Sequence, residues 1–265
     1  MTGDSGIKES DRLAAIAFDV QGTCVDFYQP ILRIGAAVNR NKGLSTDWAE
    51  LSADWRILYR EALDAIIDGR RSWMRVDRIY REALDVLLER RSLGGFFTAR
   101  ERDELNEVWT KLDPWPDSVE GLARLRRYFT TSTLSNAGMA AVVAAVKHAN
   151  LPFDAILTAE LVETYKPAPA VYQLAVDFLG YRPDQIWMVA CHKYDLRAAK
   201  AFGMRTRRLM THSRGVIVRS SNRGNRSRLT STSRKALQDC GRRSTSSWQT
   251  LFKRLAHWRS TRPPW

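Results

Sequence analysis

The stretch "AFDVQGTCVDF", residues 17–27, closes an apolar run and breaks at once into small and polar residues. The run itself, "LAAIAFDV" (residues 13–20), reads as a strand buried on both faces, the near-continuous apolar pattern of a parallel sheet. At its end stands a carboxylate, Asp19, which is costly to desolvate. Such a group is either tied up structurally or used.

Outward from this strand, "YFTTSTL" (128–134), "AILTA" (155–159) and "IWMVA" (186–190) are further candidate strands. Helical patterns separate them at 118–127, 139–149, 170–179 and 195–202. This alternation predicts an α/β fold, a doubly wound parallel sheet. Between residues 28 and 112 the pattern changes: "DWAELSADWRILYREALDAIIDG" and "RVDRIYREALDVLLERR" have helical spacing, and no strand run appears. The domain reading is therefore a core of residues 1–27 and 113–204, an inserted helical cap over 28–112, and a tail over 205–265.

The net charge of +13 belongs to that tail, which holds sixteen of the 42 Lys and Arg and one of the 29 acids, Asp239. The rest of the chain carries a slight acidic excess, so the overall charge is no sign of a nucleic-acid-binding core. A hydrophobic content of 44% fits a globular protein, and no apolar segment approaches the twenty or so residues that span a bilayer. The start, "MTGDSGIKESDR", lacks the apolar centre of a secretory signal. Cys24, Cys191 and Cys240 give neither a disulfide framework nor a zinc pattern. These observations predict a cytoplasmic protein with no membrane partner.

In doubly wound sheets ligands sit beyond the C-terminal strand ends. Asp19 and Thr23 follow the first strand, Ser135 and Asn136 the second, Lys166 the third within "YKPAPAVY" beside Tyr172, and "CHKYD" with His192 and Asp195 the fourth. Each alone has a bland reading as a turn residue, a helix cap or a solvated charge. Polar groups at four successive strand ends converge on one place, which points to catalysis.

The arrangement resembles the haloacid dehalogenase superfamily, and within it the type II 2-haloacid dehalogenases. "FDVQGT" is similar to the nucleophile motif, "LSNAG" to the second motif, "YKPAPAVY" to the lysine motif and the aspartate of "CHKYDLRAAKAFGMRT" to the fourth. "DWRILY" is similar to the Trp-Arg pair of the dehalogenase cap, which makes Arg56 its counterpart. The resemblance implies a HAD-like, Rossmannoid core and hydrolytic dehalogenation of short 2-haloalkanoic acids to 2-hydroxy acids through an ester on Asp19. It implies Lys166, Asp195 and Thr23 as further catalytic residues. Gln21, Arg56, Ser135, Asn136, Tyr172 and His192 would contact the substrate, a small-molecule 2-haloacid. No metal or other cofactor is expected, and a homodimer is a possible assembly.

The residue two positions after the nucleophile separates chemistries. Phosphatases of the superfamily carry an aspartate there that protonates the leaving alkoxide; Gln21 cannot serve as a general acid. A halide leaves as a stable anion and needs no proton. A lysine about 4 Å from Asp19 contributes roughly 4 kcal/mol at an effective dielectric near 20, enough to offset substantial burial of an ionised carboxylate. The chain departs from the family where relatives often have an aromatic residue at Gln21, and some have Ser and Asn at Ala190 and His192. Cys24 and Cys191 flank the site without an evident base and read as small buried residues. The alternatives are a magnesium-dependent small-molecule phosphatase of the same fold, and a weakly active protein whose basic tail binds nucleic acid.

The tail itself has two readings. Its Arg/Ser-rich composition fits a disordered segment with incidental polyanion affinity. The other reading is a shifted reading frame from near Thr206. Encoding "SSWQTLFK" (246–253) and reading from the third base of the first codon can give Val-Val-Ala-Asp-Ser-Phe-Gln, similar to the usual end of these dehalogenases. In that reading the native end of the sheet is lost.

Overall fold

The computed structural model describes residues 13–209; the first twelve residues and the basic segment from Met210 onward lie outside it, as do both readings of that segment. In chain order, Ala15–Phe18 (β1) and Val25–Asp26 (β2) lead into four helices, Tyr28–Lys42 (α1), Trp48–Ile67 (α2), Val76–Arg90 (α3) and Ala99–Asn106 (α4). Asp113–Pro114 (β3) then precedes Ser118–Arg126 (α5), Thr130–Thr133 (β4), Met139–His148 (α6), Pro169–Leu179 (α7), Ile186–Ala190 (β5), Lys193–Ala201 (α8) and Arg205–Arg208 (β6).

Four strands form a parallel sheet in the order β4-β1-β5-β6. After β1 the chain builds β4 on one side and β5 on the other, so the strand order reverses around β1. That reversal opens a crevice at the C-terminal end of β1, where Asp19 stands. Side chains alternate across the sheet: Ala15 and Ala17 pack with Tyr172, Leu174 and Met188, whereas Ile16 and Phe18 pack with Leu122, Leu125 and Val142. Helices thus cover both faces, as the continuous apolar run of β1 requires.

The turn after β1 depends on Gly22, whose φ of +83° is disfavoured for any residue with a Cβ. It brings β2 antiparallel to β3, pairing Val25 with Pro114 and Asp26 with Asp113. The two chain crossings into and out of the helical segment are therefore fastened side by side. Within that segment α2 presents Leu51, Trp55, Tyr59, Leu63 and Ile66 along one buried stripe, and Asp47 caps its start by accepting from the Ala49 and Glu50 amides. Gly35 of α1 leaves room for the Trp48 indole, which occupies the space a Cβ would fill.

Two expectations need correction. The segment 155–159 is not a regular strand, although it runs parallel to β4 through single bridges from Ser132 to Ala155 and from Ser135 to Thr158. The reason is Thr133: its Oγ1 accepts from the Leu157 amide and donates to the Leu157 carbonyl, both at 2.9 Å, and so intercepts the ladder. The second correction concerns the tail boundary. Arg205–Arg208, assigned to the tail by composition, forms the edge strand β6 against β5. All four residues are half-buried, and Arg207 lays its guanidinium over the Trp187 ring at 5.8 Å. Arginine stems cover apolar surface along this strand, the last of the sheet among the described residues.

Candidate active site

Asp19, just past β1, is 6% exposed, and both carboxylate oxygens are held. Oδ1 accepts from Lys166 Nζ at 3.0 Å and Oδ2 from Thr23 Oγ1 at 2.8 Å. Thr23 Oγ1 accepts in turn from the Cys191 amide at 2.9 Å, tying the turn after β1 to the end of β5. Lys166 and Asp195 are fully buried, and Nζ lies 2.5 Å from Asp195 Oδ2. The remaining Asp195 oxygen accepts from the Tyr172 hydroxyl at 2.8 Å. Asp195 sits in the first turn of α8, where its charge meets the positive helix end.

Burial alone raises the Asp19 pKa. Lys166, His192 and the Thr23 hydroxyl more than reverse it and hold the carboxyl below its usual range. Asp195 ends above its usual value, since burial outweighs the help it receives from Lys166. Burial pulls Lys166 down, but its two carboxylates leave it raised and firmly an ammonium. The His192 imidazole is pushed down by burial, against the pull of Asp19, and is neutral at pH 7. Its Nε2 lies 3.2 Å from the Gln21 carbonyl oxygen and 3.6 Å from Asp19 Oδ2.

The helical segment delivers Arg56 to this crevice. Its Nη1 donates to Gln21 Oε1 at 3.2 Å and to the Tyr80 hydroxyl, which itself donates to Gln21 Oε1 at 3.0 Å. The guanidinium packs over the rings of Phe27 and Tyr59 at 4.8 and 4.9 Å, and over Trp109 at 5.8 Å. Tyr80 stacks between Tyr59 and Trp109. An arginine so placed has its charge delocalised over aromatic faces and its fork aimed by hydrogen bonds.

Asn136 Oδ1 accepts from the Lys166 backbone amide at 2.8 Å and so fixes the segment that carries the lysine. Ser135 is buried, its hydroxyl accepting from the Ala137 amide at 3.1 Å. Tyr172 is fully buried, and its hydroxyl supports Asp195. Sequence reasoning missed Tyr80, Tyr59, Trp109 and Arg60. The last was findable: it lies one turn beyond Arg56 on α2 and donates to the Lys166 carbonyl at 3.4 Å. The aromatic residues come from separate elements, and only packing brings them together.

Among the described residues, Asp19, Cys191 and His192 form the group with donor atoms within 4.8 Å of one another. A thiol, an imidazole and a carboxylate already paired with an ammonium do not fit magnesium, which takes an octahedral set of oxygens.

Fold and site together define an α/β protein with a parallel sheet and a buried carboxylate–ammonium–carboxylate triad at its strand ends. The family profile described as haloacid dehalogenase-like hydrolase matches residues 13–203, and the chain belongs to that family. It is 30% identical over 208 residues to (S)-2-haloacid dehalogenase 4A of Burkholderia cepacia, covering 75% of this chain and 84% of the relative. It is also 30% identical over 200 residues to the (S)-2-haloacid dehalogenase of Pseudomonas sp. strain YL, covering 74% and 82%. Among solved structures, an L-2-haloacid dehalogenase matches at 34% identity and a TM-score of 0.70, covering 73% of this chain and 82% of that one. A defluorinating L-2-haloacid dehalogenase matches at 33% identity and a TM-score of 0.71, covering 73% and 80%.

Proposed function

We propose that the protein hydrolyses short 2-haloalkanoic acids to 2-hydroxy acids without a metal. Asp19 attacks C2, a C–O bond forms as the carbon–halogen bond breaks, and the halide departs with the bonding pair, inverting the centre. Water then hydrolyses the aspartyl ester and regenerates the carboxylate, the two-stage logic of nucleophilic catalysis. The observation that carries this reading is the anionic Asp19 held 3.0 Å from Lys166, with Gln21 rather than an acid two residues on.

In this scheme Lys166 keeps the nucleophile ionised, Thr23 aims it, and Asp195, braced by Tyr172, orients Lys166 and helps prepare the hydrolytic water. Ser135 and neighbouring amides receive the substrate carboxylate. Arg56 and Asn136 cradle the departing halide, stabilising charge where it develops. His192 and Gln21 line the same space. Residues 28–112 act as a cap, and the β2–β3 pairing at its two crossings supports that division. No helix among the described residues is long and apolar enough to cross a membrane. A cytoplasmic setting and a homodimer complete the reading, to be checked by fractionation and light scattering.

The deciding assay is free halide released from the enantiomers of 2-chloropropionate, with and without EDTA. Release from one enantiomer, unaffected by chelation, is expected. Absence of release, or release abolished by EDTA, rejects the reading.

A further inference from the structure

Gln21 holds a position where an aromatic side chain would offer no hydrogen-bond donor of this kind, and its orientation is fixed by its neighbours. A guanidinium has donors only, so the amide atom facing Arg56 is the oxygen. Tyr80, whose hydroxyl burial pushes well above its usual pKa, stays protonated and donates to that same oxygen. Both bonds go to Oε1, so the Nε2 amide group is left with two N–H bonds to give. Among the described residues Nε2 has no hydrogen-bond partner, and it is not sealed from solvent. The Gln21 backbone meets the same His192 nitrogen that lies 3.6 Å from Asp19 Oδ2, so the residue belongs to the nucleophile's surroundings.

We infer that Gln21 Nε2 is a directed donor to the departing halide, one that extends the substrates of this site to 2-fluoroacids. The inference rests on the dehalogenase reading and adds a residue and a substrate class to it. Fluoride is the poorest leaving group of the halides and the strongest hydrogen-bond acceptor among them. Bromide and chloride, large and diffuse, are served well by the Arg56 charge and the aromatic rings around it. Fluoride gains most from a short N–H contact placed where its charge appears. The step balances without a proton: the Asp19 oxygen bonds to C2, the C–F pair leaves with fluorine, and the amide N–H solvates the ion. Arg56 fixes Gln21 through Oε1 and supplies charge, while Gln21 supplies direction.

The test is kcat/KM for fluoroacetate and for bromoacetate in the full-length protein and in two variants. Gln21→Met removes acceptor and donor at similar length. Gln21→Glu keeps an acceptor for Arg56 and Tyr80 but replaces the donor with oxygen. The native protein should release fluoride, and each variant should lose about tenfold or more on fluoroacetate beyond its loss on bromoacetate. That selectivity ratio cancels a general disturbance of the site. Equal losses on both substrates in both variants overturn the inference, as does a native protein that releases bromide but no fluoride. If neither halide is released, the dehalogenase reading fails, and the inference falls with it.

Discussion

Asp19 and Asp195 approach one Lys166 ammonium from two different strand ends, at 3.0 and 2.5 Å. The three groups share a space almost closed to water, so neither carboxylate can change state without the other responding. The asymmetry between them is functional in form. Asp19 also accepts from Thr23 and feels His192, which hold its pKa down, whereas Asp195 is raised by burial. The carboxylate that opens to the crevice is thus the better-stabilised anion.

Asp19→Asn keeps the shape of the side chain and the contacts to Lys166 and Thr23 in altered polarity, but leaves no anion to attack carbon. Halide release should fall by on the order of 10⁴-fold or more, while the circular dichroism spectrum is retained. Activity within tenfold of the native value would remove Asp19 from the nucleophile's role.

Lys166→Met leaves two buried carboxylates without their shared cation. Removing one partner of a buried ion pair typically costs about 3–5 kcal/mol, so the urea midpoint should drop clearly. Lys166 is also the largest influence lowering the Asp19 pKa, against the burial that raises it. Without it the Asp19 pKa rises, and the acidic limb of kcat/KM should move to higher pH. An unmoved limb in a folded variant that still turns over would show that the ammonium does not hold Asp19 ionised.

The core was legible because its signals are local. A buried strand ending in Asp19 and small residues, and polar groups after each following strand, need only periodicity and a parallel-sheet rule to be gathered at one crevice. The helical segment was legible as helix for the same reason. What it brings to the site was not. Arg56 stands out next to Trp55, but Tyr80 and Trp109 reach it from α3 and the turn after α4, contacts between residues 24 and 53 positions apart that no pattern encodes. The missing strand at 155–159 has a different cause: its sequence is strand-like, and a single hydroxyl on the neighbouring strand replaces part of the ladder. The tail boundary slipped because composition counts charge, whereas an edge strand tolerates arginines whose stems are half-covered.

That hydroxyl gives a stability prediction remote from the chemistry. Thr133 Oγ1 is the acceptor for the buried Leu157 amide. Thr133→Val preserves volume and strand preference but orphans that donor, which should cost about 1–3 kcal/mol in a denaturant titration. Thr133→Ser keeps the oxygen and should lie closer to the native protein. A valine variant as stable as the native protein would show that the Leu157 amide does not depend on this hydroxyl.

His192 contributes to the acid side of the stability curve. Burial lowers its pKa in the fold, with Arg56 and Lys166 adding to the effect and Asp19 opposing it. In the unfolded chain a histidine titrates near about 6.5, so on acidification the unfolded state takes up this proton before the folded state does. The contribution is fully present above about 6.5 and is lost as pH falls through the folded value. The urea midpoint should therefore decline from pH 7 to about 5.5 more steeply in the native protein than in His192→Asn, which has nothing to titrate there. Asp19, also depressed, acts below the carboxylate range of about 3.9, and the raised Asp195 acts with opposite sign; both are present in each protein, so the difference between the two curves reports chiefly on His192. Parallel curves would mean that the imidazole accepts its proton as readily in the crevice as in water, and that its neighbours do not keep it neutral.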